Sequence, residues 1–203
     1  MAHNDDAFAT MLLMSQISAN RDELERPLSY AEYYQLRTRV AESSLSRLGN
    51  LIGMDVYAMR QALDMTENEA YKLCVLLHRT MPLSYAIERF SNAGIEIATV
   101  DESAYPQKLM DNLGEKAPPM VYYSGDVKLT DTSSVALIGN SSVKPEVIEF
   151  ALRMTRAAVK TGLTVITGGE NGFGRAVENE VIRQNGNLIS YLAESLNDHI
   201  HLP

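Results

Sequence analysis

The chain has 203 residues, room for one large domain or two small ones, and at 45% apolar and 22% charged it is globular in composition, which excludes a disordered chain. A single cysteine, Cys74, excludes an intramolecular disulfide, and no apolar run approaches the ~20 residues of a membrane span. The net charge of −8 speaks against nucleic acid when taken alone, but residues 1–132 hold 19 Asp+Glu against 12 Lys+Arg, whereas residues 133–192 hold 5 against 6.

Residues 1–94 read as helical. Met11-Leu12-Leu13-Met14 is too short for the core of a signal peptide, so a soluble cytoplasmic protein with no membrane partner is expected. Arg21 to Pro27 is charged and reads as a loop. Ser29 with Glu32, and Thr66 with Glu69, fit the capping box that opens a helix. After Thr66 the apolar set Ala70, Leu73, Cys74 and Leu77 falls at i, i+3, i+4, i+7, which makes Cys74 a core thiol rather than a nucleophile. Pro82 opens a further helix that Gly94 closes. The expectation is a small all-α domain over 1–94, SAM-like or of another kind, with a boundary near Gly94.

Ile95 to Val100 follows as a strand, and a short helix runs from Tyr105-Pro106 to Leu113. Ala117-Pro118-Pro119 then forces an extended chain. Met120 to Ser124 reads as a strand and Gly125-Asp126 as a turn.

Ser133 to Leu192 carries the clearest pattern. Three short apolar runs, Val135 to Gly139, Leu163 to Thr167 and Leu188 to Leu192, are separated by amphipathic runs over Pro145 to Thr161 and Arg175 to Gln184. Apolar runs with little alternation suit parallel strands buried on both faces, and helices between them give right-handed crossovers. The fold class is therefore α/β, a helical domain followed over 95–203 by a parallel-sheet domain. Ligands in open sheets of this kind sit beyond the carboxyl ends of the strands. Two segments leave those ends: Gly139, Asn140, Ser141 and Ser142, then Gly168, Gly169, Glu170, Asn171, Gly172, Phe173 and Gly174. Small residues let a backbone approach a ligand, and each segment leads into a helix start that favours an anion. A phosphate-bearing ligand is expected there, with Arg175 as the foremost anion contact. Lys144, Arg153, Arg156 and Lys160 lie on or beside the first crossover helix and could track a phosphate backbone, or form a solvated face.

Other chemistry finds less support. Gly169 to Arg175 has Walker-type glycine spacing, but Arg175-Ala176 replace Lys-Ser/Thr and Ala cannot bind Mg²⁺. Gly172-Phe173-Gly174 begins a dinucleotide pattern that fails at Val177. A glycine turn needed only for strand-to-helix packing is the plainer alternative. Tyr122 or Tyr123 could stack a base, though strand tyrosines usually pack. His199 and His201 would point the same way in a strand, but no third metal ligand accompanies them. No cofactor and no catalytic residue is assigned.

Asp101, Tyr105-Pro106, Leu109, Pro118-Pro119, Tyr122-Tyr123 and Gly125-Asp126, followed by Val135 to Gly139, the glycine cluster and the turn at Gly186, resemble the DprA/Smf family over roughly residues 83–196. The resemblance implies an extended Rossmann-like fold that binds single-stranded DNA, self-associates as a homodimer and helps load a RecA-type recombinase, without catalysis. The family typically has Gly-Ser-Arg after its first strand. Here Gly139-Asn140-Ser141 stands instead, so the arginine implied for a phosphate is missing. The family's Ser-Gly, Gly-Ile-Asp and Ala-His correspond to Thr167-Gly168, Gly172-Phe173-Gly174 and Val177-Glu178. Such proteins continue beyond the third strand, so the chain is expected to be incomplete relative to the family, or to have another chain cover its edge.

The glycine cluster also resembles that of the LOG-type phosphoribohydrolases, which cleave nucleoside monophosphates at the base–ribose bond; their second signature is absent. In that reading Glu170 or Glu178 would be the general acid or base, against the alternative of solvated helix-start glutamates. A nucleotide sensor using the same loops, and a protein-interaction domain with a degenerate pocket, complete the alternatives.

Overall fold

Helix starts in the first half of the chain follow from their caps. The structure, a computed structural model, describes residues 3–17 and 25–196. Asn4 accepts the Ala7 amide to open α1 (Asp5–Met14), and Ser29 and Glu32 form the expected capping box of α2 (Tyr30–Glu42). Asp55 caps α3 (Val56–Leu63), and Thr66 with Glu69 box α4 (Glu67–Leu77). Helix α5 (Thr80–Asn92) begins two residues before Pro82, which sits in the first turn, where its missing N–H costs nothing. Ala7, Ala9, Met11, Leu12 and Leu13 are all fully buried, so α1 is apolar nearly all round and forms the centre of a helical core. Cys74 lies in that core, where burial pushes its thiol up and away from reactivity.

The contacts divide the chain into two compact units, residues 1–125 and 126–203. The division follows Gly125, and Gly94 falls within the first unit. There β1 (Glu96–Thr99) and β2 (Met120–Tyr123) pair antiparallel, Glu96 opposite Tyr123, with α6 (Gln107–Leu113) between them. Ile97 is buried in the helical core. Asp101 accepts Thr10 and pairs with Arg37 at 2.8 Å, and Tyr33 shares a hydrogen bond with Thr10. Burial, and then the Asp101 charge, push the Tyr33 phenol up to about 12. Tyr34 and Tyr105 donate to the carbonyls of Ala117 and Pro118, which fixes the extended chain before β2.

Among the described residues, the second unit holds a three-stranded parallel sheet in the order β3 (Ser134–Ala136), β4 (Thr164–Thr167), β5 (Leu188–Ser190). Helix α7 (Pro145–Lys160) crosses from β3 to β4, and α8 (Phe173–Arg183) from β4 to β5. Because the strands run in sequence order, two crossovers of one hand place both helices on one face. There Ala151, Ala158, Val177 and Val181 bury Val165, with Val135 and Leu188 packed against them. The sequence pattern suggested strands covered on both faces; among the described residues this sheet is covered by helices on one, and Ile138, just past β3, is 75% exposed. No helix among the described residues is long and apolar enough to cross a membrane.

Candidate nucleic-acid interface

Adjacent strands deliver adjacent turns. The segment after β3 and the segment after β4 leave the same end of the sheet, and they touch. Gly139 carries the Phe173 ring, so close that an added Cβ would stand 2.5 Å from it. Gly172, at φ 89°, lies against the Ser141 carbonyl with no room for a side chain. These two glycines are therefore required by contact between the turns, and the buried Phe173 occupies part of the space between them. Asn140, Ser141 and Ser142 are exposed on the first turn, as is Asn171 on the second. Lys144 immediately precedes α7 at this same end, makes no side-chain cap and is exposed, with Pro145 at the first helical position.

The second turn holds one acid and one base of its own, Glu170 and Arg175, and Glu178 of α8 adds a second acid beside them. Glu178, only 7% exposed in its side chain, accepts Thr167 Oγ1 at 2.8 Å and Ser190 Oγ at 2.5 Å, and it faces Arg175 at 3.5 Å. Arg175, the expected anion contact, is thus held by a neighbouring carboxylate. Gly169 donates its amide to Thr167 Oγ1. Glu170 folds back so that its carboxylate packs against the backbone of Gly168 and Gly174. Its Oε1 is buried and has no hydrogen-bond partner among the described residues.

The basic residues of α7 do not converge on the turns. With a rise of ~1.5 Å per residue, Lys160 stands roughly 24 Å from Lys144 along the helix. Arg153 lies over the Phe150 ring, 6.0 Å from its centre. Arg156 donates to Glu180 Oε1 at 2.6 Å, tying α7 to α8 across a carboxylate that is 2% exposed. Arg183 and Gln184 bind the same carboxylate. The Arg156 guanidinium, opposed by desolvation and helped by Gln184, holds Glu180 below the usual carboxylate range.

Of the remaining candidates, Tyr122 lies in the first unit with its ring edge-on to Phe90 at 5.3 Å. Tyr123 ends the same strand, and burial pushes its phenol up. His199 and His201 lie outside the described residues. No group of three or more His, Cys, Asp or Glu able to hold a metal occurs among the described residues. Sequence reasoning did not find the Thr167–Ser190–Glu178 cluster. Its signal is register, since Thr167 stands opposite Ser190 in the parallel ladder and Glu178 is on the helix above.

The sequence matches the profile of the family described as DNA recombination-mediator protein A over residues 96–201, just over half of the chain. No curated protein matches it. Among solved structures it is similar to DNA processing protein A (DprA) from Streptococcus pneumoniae, with 15% sequence identity and a TM-score of 0.49 over 85% of this chain and 64% of that one. The match thus spans somewhat less than two thirds of that protein's length. On the extent of the profile match, the chain belongs to the DNA recombination-mediator protein A family.

Proposed function

We propose that this protein binds single-stranded DNA at the paired turns Gly139–Ser142 and Gly168–Arg175 and acts in recombination by assisting a RecA-type recombinase, with no catalytic step of its own. The observation that carries the reading is the family match over residues 96–201, which includes both turns and the sheet that holds them. Three features support it. The turns lie side by side, they open two helices, and Lys144 stands exposed at the first of these. Two helix starts facing one edge suit phosphates on a continuous backbone. Self-association as a homodimer belongs to the same reading.

The test is retention of a labelled oligothymidylate at low and raised salt. Binding should fall steeply with salt, and Lys144→Ala should weaken it about three- to tenfold and flatten the salt slope by about one. Absence of retention at low salt rejects the reading. Release of a free base from a nucleoside monophosphate would reject it in favour of a phosphoribohydrolase.

The acid on the second turn favours one other reading. With Arg175 engaged by Glu178 and Glu170 packed into the turn, a protein-interaction domain with a degenerate pocket would also need no free cation there. Such a domain would bind neither oligonucleotide nor nucleotide.

A further inference from the structure

We propose that Glu170 is a displaceable stopper: its own carboxylate occupies the mouth of the second turn, excludes a phosphate from it, and sets how tightly DNA is held. The inference rests on the DNA-binding reading above and concerns the regulation of that site.

The carboxylate is seated at the start of α8. An atom placed as Cβ on Gly174, the second residue of α8, would stand 2.6 Å from Glu170 Oε2 and 2.9 Å from Oε1. The same atom on Gly168 would stand 2.9 Å from Oε2. The group therefore rests on two bare Cα positions at the amide-rich start of a helix, where the helix dipole favours negative charge. Any side chain at Gly174 would contest that seat.

The seat is poorly satisfied. Glu170 Oε1 is buried without a hydrogen-bond partner, which is costly for a carboxylate oxygen that water would otherwise solvate. The dipole draws the group in, yet the seat supplies no donor to that oxygen. Such a group leaves readily when a competing anion arrives, because rotation into solvent restores its hydration. A bound phosphate and the seated carboxylate are like charges in one place, so they cannot be held together. Glu178 reinforces the effect by holding Arg175 at 3.5 Å. DNA must therefore displace Glu170 before it can use the second turn, whereas the first turn, with Lys144, is open to it.

Removing the stopper should tighten binding. Titration of a labelled oligothymidylate against the full chain, Glu170→Gln and Glu170→Ala supplies the test, with circular dichroism confirming that each variant folds. Glu170→Ala should bind at least about tenfold tighter than the parent, since it removes both the charge and the bulk. Its salt slope should steepen by about one, the mark of one more phosphate engaged. Glu170→Gln, which keeps the bulk and loses the charge, should fall between them. If the parent binds and Glu170→Ala binds equally or more weakly with the same slope, the stopper is wrong and the DNA-binding reading stands. If neither the parent nor a folded Glu170→Ala retains oligothymidylate at low salt, both fail.

Discussion

In the first unit α1 is enclosed by large side chains: Tyr33, Leu51, Met59 and Leu76 are all fully buried around it. In the second, the buried apolar set is Ala151, Ala158, Val165, Phe173, Val177 and Val181, small apart from the phenylalanine. Beside it are buried Thr155, Thr164, Thr167, Glu178 and Glu180. The first unit is held by apolar volume. The second has little volume to spare and depends on close backbone contact and on polar groups that must find partners. A fold of the second kind can place two turns against each other at a strand end, but it has less reserve when one contact is lost.

The difference between the two cores should show most strongly at Phe173. Phe173→Ala removes the largest apolar side chain of the second core and the ring seated on Gly139, at a cost of about 3–5 kcal/mol. Leu76→Ala in the first unit makes a cavity of the same kind and costs about 2–5 kcal/mol, within a larger core. Hydrogen exchange should show Phe173→Ala releasing the amides of α7 and α8 while α1 and α4 stay protected. Leu76→Ala should lower protection in the first unit without abolishing it. Equal loss in both units from either substitution would mean that the two cores are not separate.

A smaller effect is expected at Gly172. An alanine there must hold φ near 89° and place its Cβ against the Ser141 carbonyl. The strained backbone alone costs about 1–3 kcal/mol. A lower urea midpoint, with an unchanged circular dichroism spectrum in its absence, is the expected result. A neutral substitution would show that the two turns do not touch, and the candidate interface would lose its geometry.

How far the sequence could be read follows the same division. The capping boxes at Ser29 and Thr66, the helix after Pro145 and the parallel order of three strands are local patterns, so spacing alone exposes them. The contact of Gly139 with Phe173 joins residues far apart in the chain and depends on which strands lie side by side. Arg156 illustrates the limit. Its spacing with Arg153 and Lys160 suggested a basic face, but its charge is spent on Glu180, a residue of the next helix that no periodicity in α7 can reveal. Arg175 is a parallel case, since its partner Glu178 is near in sequence but is turned inward by the hydroxyls of Thr167 and Ser190. The acid content of the turn was countable from the residues; which carboxylate would pack into the turn was not.

Acid should weaken both units, and loss of Arg156 should alter that response in the second alone. Glu180 has its carboxyl held below the ordinary value of 4.5 in the folded state, first by Arg156. A depressed carboxylate adds stability above the unfolded value, and that stability is lost as the pH falls through the folded one. Glu32 in the first unit behaves alike: burial opposes it, but the Ser29 side chain and backbone, Lys72 and Arg26 hold it well below its ordinary range. Both units should therefore weaken below about pH 4.5. Arg156→Ala removes the leading cause at Glu180 and leaves Arg183 and Gln184. At about pH 7 it should cost the second unit roughly 1–3 kcal/mol, the worth of a hydrogen bond to a charged group. As the acid range is entered the difference from the parent should shrink, because the parent loses the same interaction by protonation, while the acid response of the first unit stays as it was. Hydrogen exchange in α8 and in α2 at the two pH values reads both effects at once. A cost at α8 that is the same at both would show that Arg156 acts by packing its stem across α7 and α8, and that Glu180 keeps its charge without it.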